Sequence, residues 1–116
     1  MPHSIRRFYP IIIGLLFSVL MLPSATQAAD TVVAVQFKDH RFTPQNLTVA
    51  AGQPLTLKVV NASKETIEFE SFKLNREVAM TPGETITVRL PALSPGSYDF
   101  YDDFHQDVPE GAIVAK

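Results

Sequence analysis

From Thr31 onward, apolar side chains recur at every second position in short runs separated by turn residues, the period of strands with one buried face. "TVVAVQF" (31–37) is the first run, and its β-branched content suits a pleated surface. In "LTVAAGQPLTLKVVN", Leu47 and Val49 share one face and Leu55, Leu57 and Val59 another. Ala-Gly-Gln-Pro lies between them as a turn, so this stretch is two strands in sequence. "TIEFE" (66–70) turns Ile67 and Phe69 inward, which forces Thr66, Glu68 and Glu70 outward. "TPGETITVRL" resumes the alternation after a Pro-Gly turn with Ile86, Val88 and Leu90; "SPGSYDFYDDF" follows a second Pro-Gly turn, and "GAIVA" (111–115) supplies the last run. "SFKLNREVAM" fits either one helical turn or an extended excursion. No amphipathic helix of useful length can be drawn. The pattern predicts an all-β sandwich of about seven or eight strands.

Ahead of this pattern lies a segment of a different kind. Arg6 and Arg7 form a short basic region, and the apolar run over 11–22 is too short for an ordinary spanning helix. Pro23 breaks it, and "SATQAAD" offers small residues at Thr26 and Ala28. Residues 1–28 are therefore expected to be a signal peptide cut before Ala29, leaving 29–116 as one soluble exported domain. Removing 28 of the 116 residues leaves 88, enough for one domain with a modest core. Arg6 and Arg7 leave with the signal, so 10 Lys+Arg fall to 8 against 12 Asp+Glu, and the net charge moves from −2 to −4. A mildly acidic surface disfavours nucleic acid and anionic membrane and favours cations. The chain has no cysteine, which excludes thiolate ligation and disulfide exchange and leaves the core to hold the fold unaided.

Oxygen and nitrogen donors concentrate where a plain sandwich does not need them. Glu68 and Glu70 lie two apart on one strand face and repel unless solvated or neutralised. Asp102, Asp103 and His105 crowd the end of a strand before "QDVPEG". Carboxylate and imidazole together suit ferrous iron, manganese or oxidised copper. Singly, each of these residues reads as a turn or surface residue; as a cluster they are less easily dismissed. Asn75, Arg76 and Glu77 fall in the unassigned stretch, and His40 in "FKDHRFTPQN" reads as a polar loop histidine. Enzyme signatures are thin: so small a sandwich leaves little room for a glycosidase cleft, and neither a nucleophile-elbow serine nor a phosphate-cradling glycine loop is present.

The segments "FTPQNLTVAAGQPLTLKVVN", "EFESFKLNRE", "PALSPGSYDFYDDFH" and "GAIVAK" together resemble the small exported cupredoxin-like domains of bacterial ferrous-iron uptake. These include the periplasmic component of the Ftr-type iron permease systems and, more distantly, the amino-terminal domain of the Efe-type iron-binding protein. The resemblance implies a Greek-key sandwich in the periplasm, with metal ligands from the end of the fourth strand and from the loop joining the last two strands. In electron-carrying members that loop supplies a cysteine and a histidine, whereas this chain has Glu68 and Glu70 at the earlier place and Asp102, Asp103 and His105 at the later one. Asp103 and His105 are then expected as ligands and Asp102 as a ligand or as the acceptor that orients His105. Glu77 would close the site and Arg76 would offset carboxylate repulsion. The implied cofactor is iron, copper or both, and the implied partners are an inner-membrane iron permease and other periplasmic components. Ferroxidase activity would further require an electron acceptor that no residue identifies. The rival reading is a metal-free docking module whose acidic end meets a basic patch on a partner protein.

Overall fold

The computed structural model describes residues 10, 14, 17–24 and 31–116. The signal peptide expected over 1–28 lies for the most part outside them, and among the described residues no helix is long and apolar enough to cross a membrane. The described strands are β1 (Thr31–Lys38), β2 (Arg41–Thr43), β3 (Asn46–Val49), β4 (Leu55–Asn61), β5 (Ile67–Ser71), β6 (Arg76–Met80), β7 (Thr85–Leu90), β8 (Gly96–Asp102) and β9 (Gly111–Ala115). Nine described strands stand against the seven or eight expected, and β2 and β6 are the two without a clear alternating run of their own. β2 has only three residues, too few to show a period, and β6 opens on the charged pair Arg76 and Glu77 before its apolar Val78 and Met80. The ambiguous "SFKLNREVAM" is thus a tight turn followed by a strand, not a helical turn.

The strands form two sheets, one in the order β2-β1-β4-β7 and the other in the order β3-β9-β8-β5-β6. β1 runs parallel to β4 and β3 parallel to β9, so the chain leaves the first sheet after β2 and returns to it at β4. The inward sets are those the alternation predicts. Val35 and Phe37, Leu55, Leu57 and Val59, and Val88 and Leu90 face Ile67, Phe69, Phe100 and Ile113 across the sandwich. Each such side chain contributes about 1.5–3 kcal/mol on full burial, and these contacts replace the disulfides the chain lacks.

At one end of the core four phenylalanines pack ring on ring. Phe42 of β2 sits edge-on to Phe37 and Phe100 with ring centroids 5.1 and 5.0 Å away, and Phe100 lies 5.4 Å from Phe69. This packing draws the β1–β2 hairpin of one sheet against β5 and β8 of the other. The buried Asn61 at the end of β4 fixes the loop that follows. Its Nδ2 donates to the carbonyls of Glu65, Met80 and Thr81, and its Oδ1 accepts from the Ser63 N–H and hydroxyl. The Thr81–Glu84 turn has Pro82 second and Gly83 third at φ +81°, closed by the Glu84 N–H donating to the Thr81 carbonyl at 3.1 Å, which is a type II turn.

Gly111, the first residue of β9, lies against the ring of Phe100. A Cβ there would come within 2.2 Å of that ring and 2.7 Å of the Gln45 carbonyl, and the ring has no room to retreat within the aromatic group. Gly111→Ala is expected to destabilise the fold by about 1–3 kcal/mol, the usual cost of overpacking, read as a lower midpoint in urea with an unchanged slope.

Candidate metal centre

Alternation along β5 and β8 decides which acidic side chains meet. Ile67 and Phe69 are buried, so Glu68 and Glu70 project from the outer face of the five-stranded sheet. On the neighbouring strand Phe100 and Asp102 face inward and Tyr101 outward, and Asp103 follows Tyr101 onto the outer face. The Asp103 N–H donates to the Glu68 carbonyl at 3.0 Å, extending the ladder one residue past β8. Glu68, Glu70 and Asp103 thereby bring one carboxylate oxygen each within 4.8 Å of one another. Glu77 joins them from β6, directly opposite Glu70 in the register.

Four like charges on one face repel, and Glu68 carries the consequence. Its carboxyl is raised from the ordinary 4.5 to about 7, first through hydrogen bonding with the Glu77 side chain, then through desolvation and through the charges of Glu77, Asp103 and Glu70. The Tyr101 phenol is also raised, by desolvation first and then by Glu70. Arg76 does not relieve the repulsion by contact. Its guanidinium donates to the carbonyls of Leu74, Asn75 and Arg89, tying the β5–β6 turn to β7 of the other sheet, and it makes no ion pair with these carboxylates among the described residues.

Asp102 and His105 belong to a different place. The Asp102 side chain is fully buried. Its Oδ1 accepts from the backbone N–H of Glu68 and of Phe104 at 3.0 Å each, and its Oδ2 accepts from His105 Nδ1 at 2.6 Å. That leaves no open side toward the carboxylate face, so Asp102 is the residue that orients His105 and does not join Glu68, Glu70 and Asp103. His105 is drawn to the open end of the sandwich, where its Nε2 lies 3.7 Å from Glu65 Oε2. His40 Nε2, from the β1–β2 turn, lies 3.7 Å from the same oxygen, and the two rings are 6.0 Å apart. The bond to Asp102 raises the His105 pKa above its ordinary value against the opposing effect of burial.

The six residues expected at one site therefore fall on two surfaces. Glu68, Glu70, Glu77 and Asp103 lie on the outer sheet face; Asp102 and His105 lie at the sandwich end with His40 and Glu65. Neighbours on a strand face opposite ways, so Asp102 and Asp103 cannot converge on one point although they are adjacent in sequence. Glu65 carried no signal beyond its place in a polar loop, and its position rests on the Asn61 hydrogen bonds.

Two outcomes follow from this geometry. Because Glu68 binds its proton more tightly when folded, its stabilising contribution is complete below about pH 4.5 and is lost as pH rises through about 7. Glu68→Gln is accordingly expected to melt at a higher temperature than the parent at pH 8, with the difference vanishing near pH 4.5. Asp102→Ala strands two backbone N–H groups at about 1–3 kcal/mol each, and a fall in unfolding free energy of at least that size is expected by urea titration.

Residues 11–115 match the sequence profile of the cupredoxin-like domain family. An uncharacterized protein of Rickettsia prowazekii is 34% identical over 113 residues, which cover 91% of this chain and 90% of that protein. Among solved structures, the metal-binding domain of the Cu(I)-exporting P-type ATPase CopA of Streptococcus pneumoniae superposes with a TM-score of 0.65 at 13% identity, covering 73% of this chain and 84% of that one. Auracyanin A, a blue copper protein of Chloroflexus aurantiacus, superposes with a TM-score of 0.63 at 15% identity, covering 76% of this chain and 100% of that one. At these identities the structural likeness establishes the fold alone. Profile, sheet order and inward pattern agree, and the chain belongs to the cupredoxin-like domain family.

Proposed function

We propose that this chain is a periplasmic metal-binding protein of bacterial ferrous-iron uptake, of the kind that serves Ftr-type permeases and is more distantly akin to the amino-terminal domain of the Efe-type iron-binding protein. The single observation that carries the reading is the convergence of Glu68, Glu70 and Asp103 on the outer sheet face. Two of the similar solved structures are copper proteins by name. A blue-copper centre needs a thiolate, however, and this chain has no cysteine, so its residues do not fit that centre. Oxygen donors alone favour a harder ion, and iron is the ion proposed, with manganese and oxidised copper as chemical competitors. Glu68, Glu70 and Asp103 are half-buried on an open face, which suits passing an ion to an inner-membrane permease better than locking it away. Oxidation of ferrous iron here would need an electron acceptor that carboxylates do not supply, so the proposal is capture and delivery.

Calorimetric titration of the metal-stripped protein with ferrous iron under anaerobic conditions tests this reading. One equivalent is expected to bind, and Asp103→Asn or Glu70→Gln should weaken binding by about tenfold or more. Affinity should also fall as pH drops below about 7, where Glu68 takes up its proton. No heat and no change in melting temperature would overturn the reading and leave the acidic face as a salt-sensitive docking surface.

A further inference from the structure

We propose that the outer face of the four-stranded sheet is a docking surface for a second copy of this chain, which it takes by the acidic outer face of that copy's five-stranded sheet. The two faces lie on opposite sides of one sandwich, so copies joined in this way stack head to tail and do not close as a two-fold dimer.

Three observations carry it. First, the sandwich sorts its charges by sheet. Strands β1, β2, β4 and β7 hold Lys38, Arg41, Lys58 and Arg89 and not one aspartate or glutamate. Strands β5, β6 and β8 hold Glu68, Glu70, Glu77, Asp99 and Asp102 against the single cation Arg76. The formal net charge of −2 therefore averages over two faces of opposite sign. Second, the four cations are exposed and unengaged. Each sits beside a buried neighbour in the chain, Phe37, Phe42, Leu57 or Val88, and so points outward. None makes an ion pair among the described residues. Lys38 and Arg41 stand directly opposite each other across β1 and β2, an unfavourable placement for like charges. Arg89 lies two residues along β7 from Thr87, the partner of Lys58. Third, the opposite face lacks cations in the same way. Asp99 has Lys73 at 3.5 Å, whereas Glu68, Glu70, Glu77 and Asp103 have no lysine or arginine within ion-pair distance among the described residues.

Stacked sheets lie about 10 Å apart, beyond the roughly 8 Å over which charges act through physiological salt. Neither face neutralises the other within one molecule, and the opposite charge has to come from outside. A second copy supplies it in matching form, since four outward cations on one sheet meet four outward carboxylates on another. Lys58 is flanked in register by Ala34 and Thr87, whose short side chains let a second sheet approach. Exposed ion pairs are individually weak, so the stack forms at low ionic strength and disperses as salt rises. Iron held by Glu68, Glu70 and Asp103 would compete with the second copy for the same carboxylates, a consequence that rests on the function proposed above.

Sedimentation velocity of the metal-stripped protein over a range of concentrations tests the contact. At an ionic strength of about 0.01 M the mean sedimentation coefficient is expected to rise with concentration, and at about 0.15 M the association constant should fall about tenfold or more. Two double variants, Lys58→Glu with Arg89→Glu and Glu70→Lys with Glu77→Lys, change only outward side chains and should melt as the parent does. Each alone should stay monomeric at low salt, and mixing them should restore association, which a folding defect could not do. A parent that stays monomeric at low salt, association unchanged in either variant, or folded variants that fail to associate on mixing would overturn the proposal. Binding of the parent to phosphatidylglycerol vesicles through Lys58 and Arg89, without self-association, would also overturn it and give the basic face to a membrane. One equivalent of ferrous iron should disperse the stack, and iron that binds while the stack persists would overturn the shared face. Stacking that the paired variants confirm, with no heat from iron, would sink the proposed function and leave this contact standing.

Discussion

The buried carboxylate of Asp102 is the constraint on which this end of the molecule depends. A carboxylate removed from water is tolerated only when its oxygens are occupied, and here two backbone N–H groups and one imidazole occupy them. The Glu68 bond fastens the beginning of β5 to the end of β8, where the register pairs only Phe69 with Asp102 and Glu70 with Tyr101. The Phe104 bond turns the chain out of the strand, and the His105 bond fixes an imidazole at the open end. A hydrophobic residue at 102 could fill the same volume but could perform none of these three tasks.

Because Asp102 looks inward, Asp103 must look outward, and one short segment serves two surfaces. On the outer face the sheet presents carboxylates that no cation pairs with among the described residues, and the Glu68 carboxyl is raised to about 7, first through its hydrogen bonding with Glu77. At the sandwich end the aromatic group of Phe37, Phe42, Phe69 and Phe100 holds the β1–β2 hairpin close enough for His40 to reach the side of His105.

The scaffold is that of the cupredoxin-like domain family, while its donors are not those of a blue-copper centre. A fold of this kind fixes loop ends rigidly above a packed core, and the ion it suits is then a matter of which side chains stand at those ends. Replacing thiolate by carboxylate changes the donor set without changing the frame. Arg76 illustrates how little of the frame is spent on the acidic face, since its guanidinium braces one sheet against the other through backbone carbonyls.

Strand alternation in the sequence was enough to place Leu55, Leu57 and Val59, Ile67 and Phe69, and Val88 and Leu90 in the core, because a half-buried strand writes its face into every second residue. The same rule put Glu68 and Glu70 together outside. β2 and β6 were not legible, one being too short for a period and the other placing the charged Arg76 on the same face as Val78 and Met80. Adjacency in the sequence misled at Asp102, Asp103 and His105, which look like one cluster and are divided by the pleat. The sequence by itself determined the sandwich, the absence of thiolate and the stock of carboxylate and imidazole donors, since these follow from residue type and local period. Only the tertiary structure decided which donors meet. The proximity of His40, Glu65 and His105 arises from contacts between segments far apart in the chain, through aromatic packing and the hydrogen bonds of Asn61 and Asp102, and no local pattern encodes such contacts.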